Sequence, residues 1–553
     1  MTALGFHWFL RPSLRRAAAT AAVLFLLAAC SSNQGTSAAA AGAPVSGGSV
    51  TWAVETEPIT FNPHQYAQAK ARLLVWNNFE ALLTHDDKGG YLPSLATGYQ
   101  VSADGKTYTF KLRTGVTFSD GTPFDAAAVK ANIDQILTPG YAPTVAAVQL
   151  KNLASVEVVG PATVAFHLTK PDVLLLDFLS SPQGAQVSPK SLKEAANLKA
   201  GGPELAGTGP FILDRYTAGQ EVHFRRNPAY NWAPANAGHT GPADLDEITY
   251  RFLKESSVRV GALTSGQVQV IEGVPATDQA QITANDGLTL SKGLNSGSAY
   301  SYYFNASRAP FDDVRVRQAF RDALDVNTVL TAVYRGTATR AWSVVSPTSP
   351  LYDKSLEDTY GGNAQRANQQ LDAAGWAQRD AEGFRTRNGQ RLTARLVQSA
   401  PFVRDRRDIL AQTIQAAVKQ SAGIDLKVSV VDQGTATKAL TDNQYEIFDN
   451  SRADTDAGAA LNLLLYSTGA INRTGVKDAA LDRLLDAGQA TGDAAKRQAT
   501  YRDIQQRVVG EQALVLPLYA PNDQIAAEKA VGGLSFEPTA GVPNSAYNIW
   551  VRK

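Results

Sequence analysis

Side chains suited to catalysis or metal binding are sparse in this 553-residue sequence. Its six histidines stand at 7, 64, 85, 167, 223 and 239, and no two of them have metal-site spacing. A single cysteine excludes an internal disulfide and a thiolate metal centre. GxSxG, HExxH and GxxxxGKS/T motifs are missing from the sequence. We therefore predict no catalytic residue, metal site or cofactor and no enzyme, although abundant Asp and Glu leave a hidden carboxylate pair open.

The one cysteine follows a segment that is typical of export. Three arginines lie between residues 11 and 16, and residues 17–29 form an uninterrupted run of small or apolar side chains. A membrane-spanning helix takes about 20 residues, so this run fits the hydrophobic part of a signal peptide. The sequence Leu-Ala-Ala-Cys ending at Cys30 resembles a bacterial lipobox, which predicts cleavage after residue 29 and lipidation of Cys30. A plain signal peptide is the alternative, and the general and twin-arginine export routes both stay open.

Charge and composition then predict where the mature chain works. Residues 30–48 are rich in Ser, Ala and Gly, which predicts a flexible tether. The chain has 52 basic and 51 acidic residues; without the three basic residues of 1–29, 49 basic residues face 51 acidic ones. No basic excess would attract nucleic acid or a membrane surface. We expect an exported protein held to the outer face of the cell membrane by its lipid alone, without a nucleic-acid partner.

Strand and helix patterns alternate from residue 49 onward without an internal repeat. This alternation predicts α/β lobes rather than a solenoid or a helical bundle. The hairpin turn is predicted at Asn388-Gly389, a pair that favours two successive residues with positive φ. The predicted strands are 50–54, 106–112 and 426–431, and the predicted helices are 70–83, 125–137 with Asp125 as its cap, 364–374 and 403–419 ending at Gly423.

Three longer blocks follow one another in a fixed order along the chain. They are GKTYTFKLRTGVTFSDGTPFDAAAVKAN at 105–132, GTGPFILDRYTAGQEVHFRRNPAYNW at 207–232 and PFDDVRVRQAFRDALDVNTVLTAVYRGTATRA at 310–341. Pro93-Ser94-Leu95-Ala96 precedes the first block, and LDAAGW at 371–376 follows the last one. Together they resemble the family 5 extracellular solute-binding proteins, the oligopeptide- and dipeptide-binding group. The resemblance runs from about residue 50 to the C-terminus.

The resemblance implies an α/β fold of the periplasmic-binding-protein type. This fold is a two-lobed clamp of the class with a large extra subdomain, with mixed sheets flanked by helices and a two-strand hinge. Lobe I would comprise 49–298 and 513–553, with the subdomain at about 94–206, and lobe II would comprise 299–512. Such a protein is expected to act as a monomer that closes around a small peptide or peptide-like solute, and to pass it to the permease subunits of an ABC importer.

The same resemblance implies the binding residues. It places an aspartate that pairs with the solute's ammonium group after a strand of lobe II, and Asp454 is the best match. Asp456 stands just beyond this anchor. Tyr66 and Gln68 are the expected contacts from the opposite wall. The strand edge expected to pair with the solute backbone consists of Asn450, Ser451, Arg452 and Ala453.

Alternatives stay open for this segment and for the cargo. Asp454 and Asp456 are also in place to cap the helix that begins near Ala457. Arg452 stands where peptide binders of the family usually carry Trp, so it could instead meet an anionic group. The same clamp could carry a nickel chelate, haem, a sugar or an opine, or report its closed state to a membrane receptor as a sensor.

Overall fold

The computed structural model describes residues 44–65, 68–141, 144–538 and 541–552. Cys30, Tyr66, the expected signal peptide and most of the expected tether lie outside these residues. Among the described residues, no helix has the length and apolar character needed to cross a membrane. The same residues contain no group of three or more His, Cys, Asp or Glu side chains placed to hold a metal ion.

A seven-stranded mixed sheet organises lobe I. Ser49–Val54 lies inside it, pairs in parallel with both neighbours and is buried on both faces, which suits its apolar sequence. Trp52 and Tyr250 pack against each other in its core, with ring centroids 5.7 Å apart. The order of its strands is Leu288–Leu294, Asn522–Glu528, Val270–Glu272, Ser49–Val54, Glu247–Phe252, Glu221–Arg226 and Phe211–Thr217.

A four-stranded antiparallel sheet is built from the part of the chain that connects strand Ser49–Val54 to strand Phe211–Thr217. Buried side chains alternate with more exposed ones along Thr107–Leu112, within the strand predicted at 106–112. Helix Ala126–Ile136 begins at Asp125, whose carboxylate accepts a hydrogen bond from the N–H of Ala128 at 2.8 Å, so the predicted cap is confirmed. The strands, in spatial order, are Ala96–Val101, Thr107–Leu112, Thr163–Leu168 and Leu153–Gly160.

A six-stranded sheet organises lobe II. Its strand Ser298–Phe304 is buried along its whole length, and its aromatic side chains belong to one hydrophobic cluster with side chains of the lobe II helices. The order of the strands is Thr339–Arg340, Val515–Ala520, Ser298–Phe304, Ile447–Arg452, Thr393–Ser399 and Asp425–Val431. The helices of this lobe are Val314–Ala323, Val326–Tyr334, Ala364–Ala373, Arg407–Ala422, Gln433–Thr441, Ala457–Leu465, Ala479–Gln489 and Ala494–Gln505.

Shorter elements complete the described chain. Asn388 and Gly389 both have positive φ between two short strands, so the predicted hairpin is confirmed. The remaining helices are Arg72–Asn78, Thr144–Gln149, Leu174–Phe178, Pro189–Glu194, Ser256–Thr264 and Gln279–Ala284, with a π-helical turn at Gln506–Glu511. The short strands are Leu83–His85, Tyr91–Pro93, Gln378–Arg379, Arg385–Arg387, Gln390–Arg391, Val531–Gly532 and Trp550–Val551.

The chain passes between the two large sheets at two places. Residues 295–297 connect Leu294 of the seven-stranded sheet to Ser298 of the six-stranded sheet. Pro521 alone separates Ala520 from Asn522, which belong to the same two sheets. Two neighbouring connections of this kind form a two-strand hinge. The exact limits of the lobes, 49–298 with 513–553 and 299–512, and of the subdomain stay a prediction.

Two predicted helix limits are wrong. The helix expected over 70–83 spans Arg72–Asn78 only, and Leu83 begins a strand. Nearly all side chains of helix Arg72–Asn78 are buried, so the spacing of apolar residues in this segment came from burial around the helix and not from a single apolar face. The helix expected from Val403 begins at Arg407, because Asp405 and Arg406 adopt left-handed backbone conformations that cannot continue a helix. Its predicted end at Gly423 is confirmed.

Candidate functional site

A cavity of about 770 Å3 lies between the two lobes, beside the crossing at Pro521. Tyr519 and Asn522, which lie on either side of this crossing, both line the cavity. Small-molecule sites in proteins typically enclose about 300–1,000 Å3. The walls come from residues 55–59, 252–259 and 273–279 of lobe I and from residues 334–338 and 400–409 of lobe II.

The lobe I wall begins directly after the central strand Ser49–Val54. Gln68 stands behind this wall, where its Oε1 accepts a hydrogen bond from the N–H of Ile59 at 2.6 Å. Its Nε2 donates to the carbonyl of Glu57 at 3.4 Å. The Glu57 carboxylate in turn accepts from Tyr216 and from the N–H of Gly219. Gln68 thus supports a cavity wall, although it does not itself line the cavity.

The lobe II wall is the connection between strand Thr393–Ser399 and helix Arg407–Ala422. Asp405 and Arg406 have φ angles of 52° and 57°. Left-handed backbone costs a non-glycine residue roughly 1–2 kcal/mol, so the surrounding structure must enforce this turn. Strained backbone of this kind is frequent in binding sites.

The start of this helix leaves backbone donors free. Arg406, its N-cap residue, gives no side-chain cap. The N–H of Arg407 bonds to the carbonyl of Arg404, and the N–H of Leu410 bonds to that of Arg406. Within the described chain, the N–H groups of Asp408 and Ile409 have no acceptor, and both residues line the cavity.

Charged side chains from both lobes meet beside the cavity. Lys70 and Asp523 of lobe I approach within 2.6 Å, and Lys70 lies 3.8 Å from Asp405 of lobe II. Burial opposes a charge on Asp405, but Lys70, Arg404 and Arg407 outweigh it and hold its pKa below the usual value. Burial also opposes the charge of Lys70, yet Asp523 and Asp405 raise its pKa. The contacts of Lys70 with Asp523 and Asp405 therefore connect the two lobes.

Segment 447–456, which contains most of the predicted site residues, also belongs to lobe II, and none of its residues lines the cavity. Strand Ile447–Arg452 pairs with Ser298–Phe304 in the antiparallel direction. On its other side it pairs with the parallel strand Thr393–Ser399, and in the described sheet the pair Leu396 and Ile447 is the one found there. Three buried oxygens near the ends of these parallel strands lack a hydrogen bond in the described chain: Gln398 Oε1, Ser399 Oγ and Asn450 Oδ1. Unsatisfied buried groups at the carboxyl ends of strands are typical of ligand sites.

Ser451 and Arg452 have partners inside the protein. The hydroxyl of Ser451 accepts a hydrogen bond from Nη2 of Arg407 at 2.8 Å. Arg407 also donates to the Tyr519 hydroxyl at 3.2 Å, so one side chain joins Ser451 to the cavity wall. Arg452 binds the carboxylate of Asp454 through Nε at 2.5 Å and Nη2 at 2.9 Å. Asp454 is buried and does not cap the following helix.

Ala453 and Asp456 contact lobe I. The carbonyl of Ala453 accepts a hydrogen bond from Arg72 at 3.2 Å. The N–H of Asp456 donates to the buried carboxyl group of Asp177 at 3.0 Å. The carboxylate of Asp456 caps helix Ala457–Leu465 and pairs with Arg497 at 2.7 Å, which is the structural role that the sequence left open for it.

Comparisons with known proteins decide the family. Residues 90–472 match the family model of the bacterial extracellular solute-binding proteins, family 5. The chain belongs to this family. Family 5 proteins are the solute-binding components of ABC importers, and the matched relatives are binding proteins rather than enzymes.

Several relatives extend this family 5 assignment. The glutathione-binding protein GsiB of Escherichia coli O1:K1 is 32% identical over 301 residues, which cover 54% of this chain and 56% of GsiB. The chain thus matches just over half the length of this relative. The structure of the PBP AgaA from A. tumefaciens R10 in complex with agropinic acid has a TM-score of 0.78 and 25% identity, and covers 92% of this chain and 99% of AgaA.

A third comparison concerns the fold alone. DppA from Helicobacter pylori, in complex with the peptide STSA, gives a TM-score of 0.78 at 22% identity, over 92% of this chain and 99% of DppA. These similarities and the mixed sheets confirm the predicted family 5 architecture, an α/β two-lobed clamp of the periplasmic-binding-protein type.

The sequence prediction for this family 5 site missed the charged groups around the cavity. Lys70, Arg404, Asp405 and Arg407 were not among the candidates. The run Arg404-Asp405-Arg406-Arg407 directly before a helix is an uncommon concentration of charge, and it was the available signal. Among the predicted residues, the structure places Gln68 behind the lobe I wall. It places Asn450, Ser451, Arg452, Ala453, Asp454 and Asp456 in a lobe II segment that does not line the cavity, so their role stays a prediction.

Proposed function

We propose that this family 5 protein is an exported lipoprotein that captures a peptide-like solute between its lobes and delivers it to an ABC importer permease. The observation that carries the proposal is the cavity at the two-strand hinge, because both lobes contribute its walls. Motion about such a hinge opens and closes the cavity, and closure around the solute generates the surface that a permease recognises. Anchoring through a lipid on Cys30 keeps the protein near the membrane.

The chemistry of the lining suits a solute with both charges and a polar backbone. Glutamate, aspartate, lysine and arginine side chains all occur along the cavity. The free edge of strand Ile447–Arg452 beyond Ile447 is an element to which an extended peptide can add as a further strand. Asp454 would receive the ammonium group of the solute, which then shares the carboxylate with Arg452.

Relatives support this choice of cargo. GsiB is a glutathione-binding protein by name, and H. pylori DppA was solved with a peptide. AgaA was solved with agropinic acid, so this compound is the natural competitor in a binding test. A monomer with the proposed limits, 49–298 with 513–553 and 299–512, is sufficient for this function.

Calorimetric titration of the stripped protein tests the cargo. The protein is unfolded in urea to release bound solute, refolded, and titrated with di- to pentapeptides, glutathione and agropinic acid. A peptide or glutathione that binds in a one-to-one complex supports the proposal. Binding of agropinic acid alone contradicts the peptide-like cargo and leaves the clamp mechanism in place.

Mass spectrometry of the mature N-terminus tests the anchor. The chain expressed in a bacterium with lipoprotein processing should begin at a diacylated Cys30 and fractionate with membranes. Cys30→Ala is the matched variant, because it removes the lipid acceptor and leaves the apolar run intact. An unmodified Cys30 in the wild-type protein would contradict the anchor.

A further inference from the structure

A second set of contacts joins the two lobes outside the cavity. Helix Ala457–Leu465 of lobe II lies against helices Thr144–Gln149 and Leu174–Phe178, which belong to the same part of the chain as the four-stranded sheet. All nine residues of Ala457–Leu465 are buried. A helix that is buried on every side needs cover from more than one neighbour, and lobe I supplies part of this cover.

Asp486, in the last turn of helix Ala479–Gln489, is the centre of the polar contacts on this face. Its Oδ1 accepts a hydrogen bond from Nζ of Lys170 at 2.7 Å, from one lobe to the other. Its Oδ2 accepts from the hydroxyl of Tyr466 at 3.3 Å. The ammonium group of Lys151 lies over the Tyr466 ring, 3.7 Å from its centre, where a cation is attracted to an aromatic face. Two lysines of lobe I thus meet a carboxylate and a ring of lobe II.

A backbone hydrogen bond crosses the same face. The N–H of Val173 donates to the carbonyl of Gln489 at 2.9 Å. The buried side chain of Gln489 donates to Oδ1 of Asp486 at 2.9 Å, so it also holds the carboxylate that accepts from Lys170. Because hydrogen bonds weaken steeply when they are stretched or bent, the bond of Val173 requires this one arrangement of the lobes.

The groups on this face are separate from the cavity. None of them is among the described residues that line it, so a solute held there leaves them untouched. Contacts that form when the lobes close, but do not involve the solute, favour the closed state by the same free energy whatever the solute is. We name these residues the latch: Lys151, Lys170 and Val173 of lobe I and Tyr466, Asp486 and Gln489 of lobe II.

We infer that the latch helps to close the lobes independently of the solute. It holds part of the protein closed before a solute arrives, and it strengthens the binding of every solute by the same factor. The inference rests on the proposed function only because it takes the lobes to open and close about the two-strand hinge. It gives the part of the chain around the four-stranded sheet a role in solute capture.

Distances between two spin labels test the latch without any solute. In a Cys30→Ala background, nitroxides are attached to Lys193→Cys of lobe I and Lys438→Cys of lobe II, two exposed positions. Pulsed electron paramagnetic resonance of the stripped protein should show two distances, one of which matches this structure. The double variant Lys151→Met and Lys170→Met keeps the hydrogen bonds within lobe II. It should lower the ratio of closed to open molecules roughly threefold to tenfold, because an ion pair and a cation–π contact are lost together.

The double variant Lys111→Met and Lys130→Met is the matched control. It removes the same charge from the same part of the chain, where Lys111 is exposed and Lys130 pairs with Asp134 of its own helix. Its ratio of closed to open molecules should equal that of the wild-type protein. A stripped wild-type protein without molecules at the distance of this structure would overturn the latch. A ratio that the latch variant leaves unchanged would overturn it as well.

Affinity decides whether the latch acts on all solutes alike. Both double variants are titrated with each peptide of the panel that binds, with glutathione and with agropinic acid. The latch variant should lose affinity by the same factor for every solute that binds, and the control should lose none. Losses confined to one solute would overturn the inference, because they would indicate direct contact with that solute. If no peptide or glutathione binds, the peptide-like cargo fails, whereas the spin-label distances still decide the latch.

Discussion

Arg452 and Asp454 bind each other through two hydrogen bonds of 2.5 and 2.9 Å, although only one residue separates them. The segment that the family resemblance assigns to the solute's ammonium group therefore carries its own countercharge. A buried carboxylate with this partner stays satisfied while the clamp is empty. An ammonium group of the solute would therefore replace Arg452 as the partner of the Asp454 carboxylate, or share this carboxylate with Arg452.

The first prediction concerns Asp454. Asp454→Asn should weaken binding of a peptide with a free amino terminus by about 2–5 kcal/mol, because it removes the carboxylate from a buried charge pair. Acetylation of the peptide's amino terminus should weaken binding to the wild-type protein in the same direction. Calorimetric titration measures both effects.

Asp432→Asn is the matched control for this variant. Asp432 caps helix Gln433–Thr441 on the surface, and its replacement leaves the cavity unchanged. Unchanged affinity of Asp454→Asn, or equal losses in both variants, would remove Asp454 from the site.

The second prediction concerns Gly297, in the first crossing between the lobes. A Cβ atom there would lie 2.4 Å from the carbonyl oxygen of Arg452 and 2.8 Å from that of Asp454. Gly297→Ala must push segment 452–454 away, so we expect a roughly tenfold loss of solute affinity with the fold retained. Gly98→Ala meets no heavy atom within 4 Å and should bind normally. Normal affinity of Gly297→Ala would show that this close approach is irrelevant to binding.

The third prediction concerns Lys70. Its ammonium group lies between carboxylates of both lobes, and Lys70→Met would leave Asp523 and Asp405 short of a cation. Removal of one partner from a buried ion pair costs about 3–5 kcal/mol, so the urea midpoint should fall markedly. Lys438→Met, at an exposed helix pair, should change little. Similar midpoints for the two variants would contradict the account of the interlobe charges.

The fourth prediction concerns pH and Asp177. Burial, and then the charges of Asp454 and Asp456, raise the pKa of this carboxyl group well above its usual value. The folded protein thus binds a proton more tightly than the unfolded chain, and the free energy of unfolding contributed by Asp177 falls as pH rises above the usual carboxyl pKa. Asp177→Asn keeps an acceptor for the N–H of Asp456 without the charge. It should therefore be more stable than the wild-type protein at pH 7.

The difference between the two proteins should shrink as the pH falls from 7 towards 4. His85, whose pKa burial lowers to about 4, contributes the opposite slope, but it is common to both proteins. Urea unfolding at several pH values measures the difference directly. A difference that does not depend on pH would rule out the raised pKa of Asp177.

Much of the fold was predictable because local chemistry decides it. Asp125 caps its helix, Asn388-Gly389 turns its hairpin, and Gly423 ends its helix, each for reasons contained within a few residues. The helix predicted over 70–83 was wrong because burial on nearly all sides imitates a helical stripe. Such burial is decided by elements that lie far away in the chain.

The candidate site was predictable only in part for the same reason. Segment 450–456 was chosen because it resembles a family motif, and its part in solute binding stays a prediction. The partners of Lys70 could not be predicted from the sequence. Asp405 and Asp523 lie far along the chain and contact Lys70 only when the two lobes assemble. The same holds for Asp177 and Asp456, whose contact joins the two lobes.

Native mass spectrometry of the protein as isolated from its producing cells tests the central claim most directly. The account predicts a one-to-one complex with a small solute that carries both an amino and a carboxylate group, and denaturation should release this solute chemically unchanged. Added back to the stripped wild-type protein, the solute should restore the same complex. A released molecule that lacks both groups, or one that the protein converts into a product, would contradict capture of a peptide-like solute.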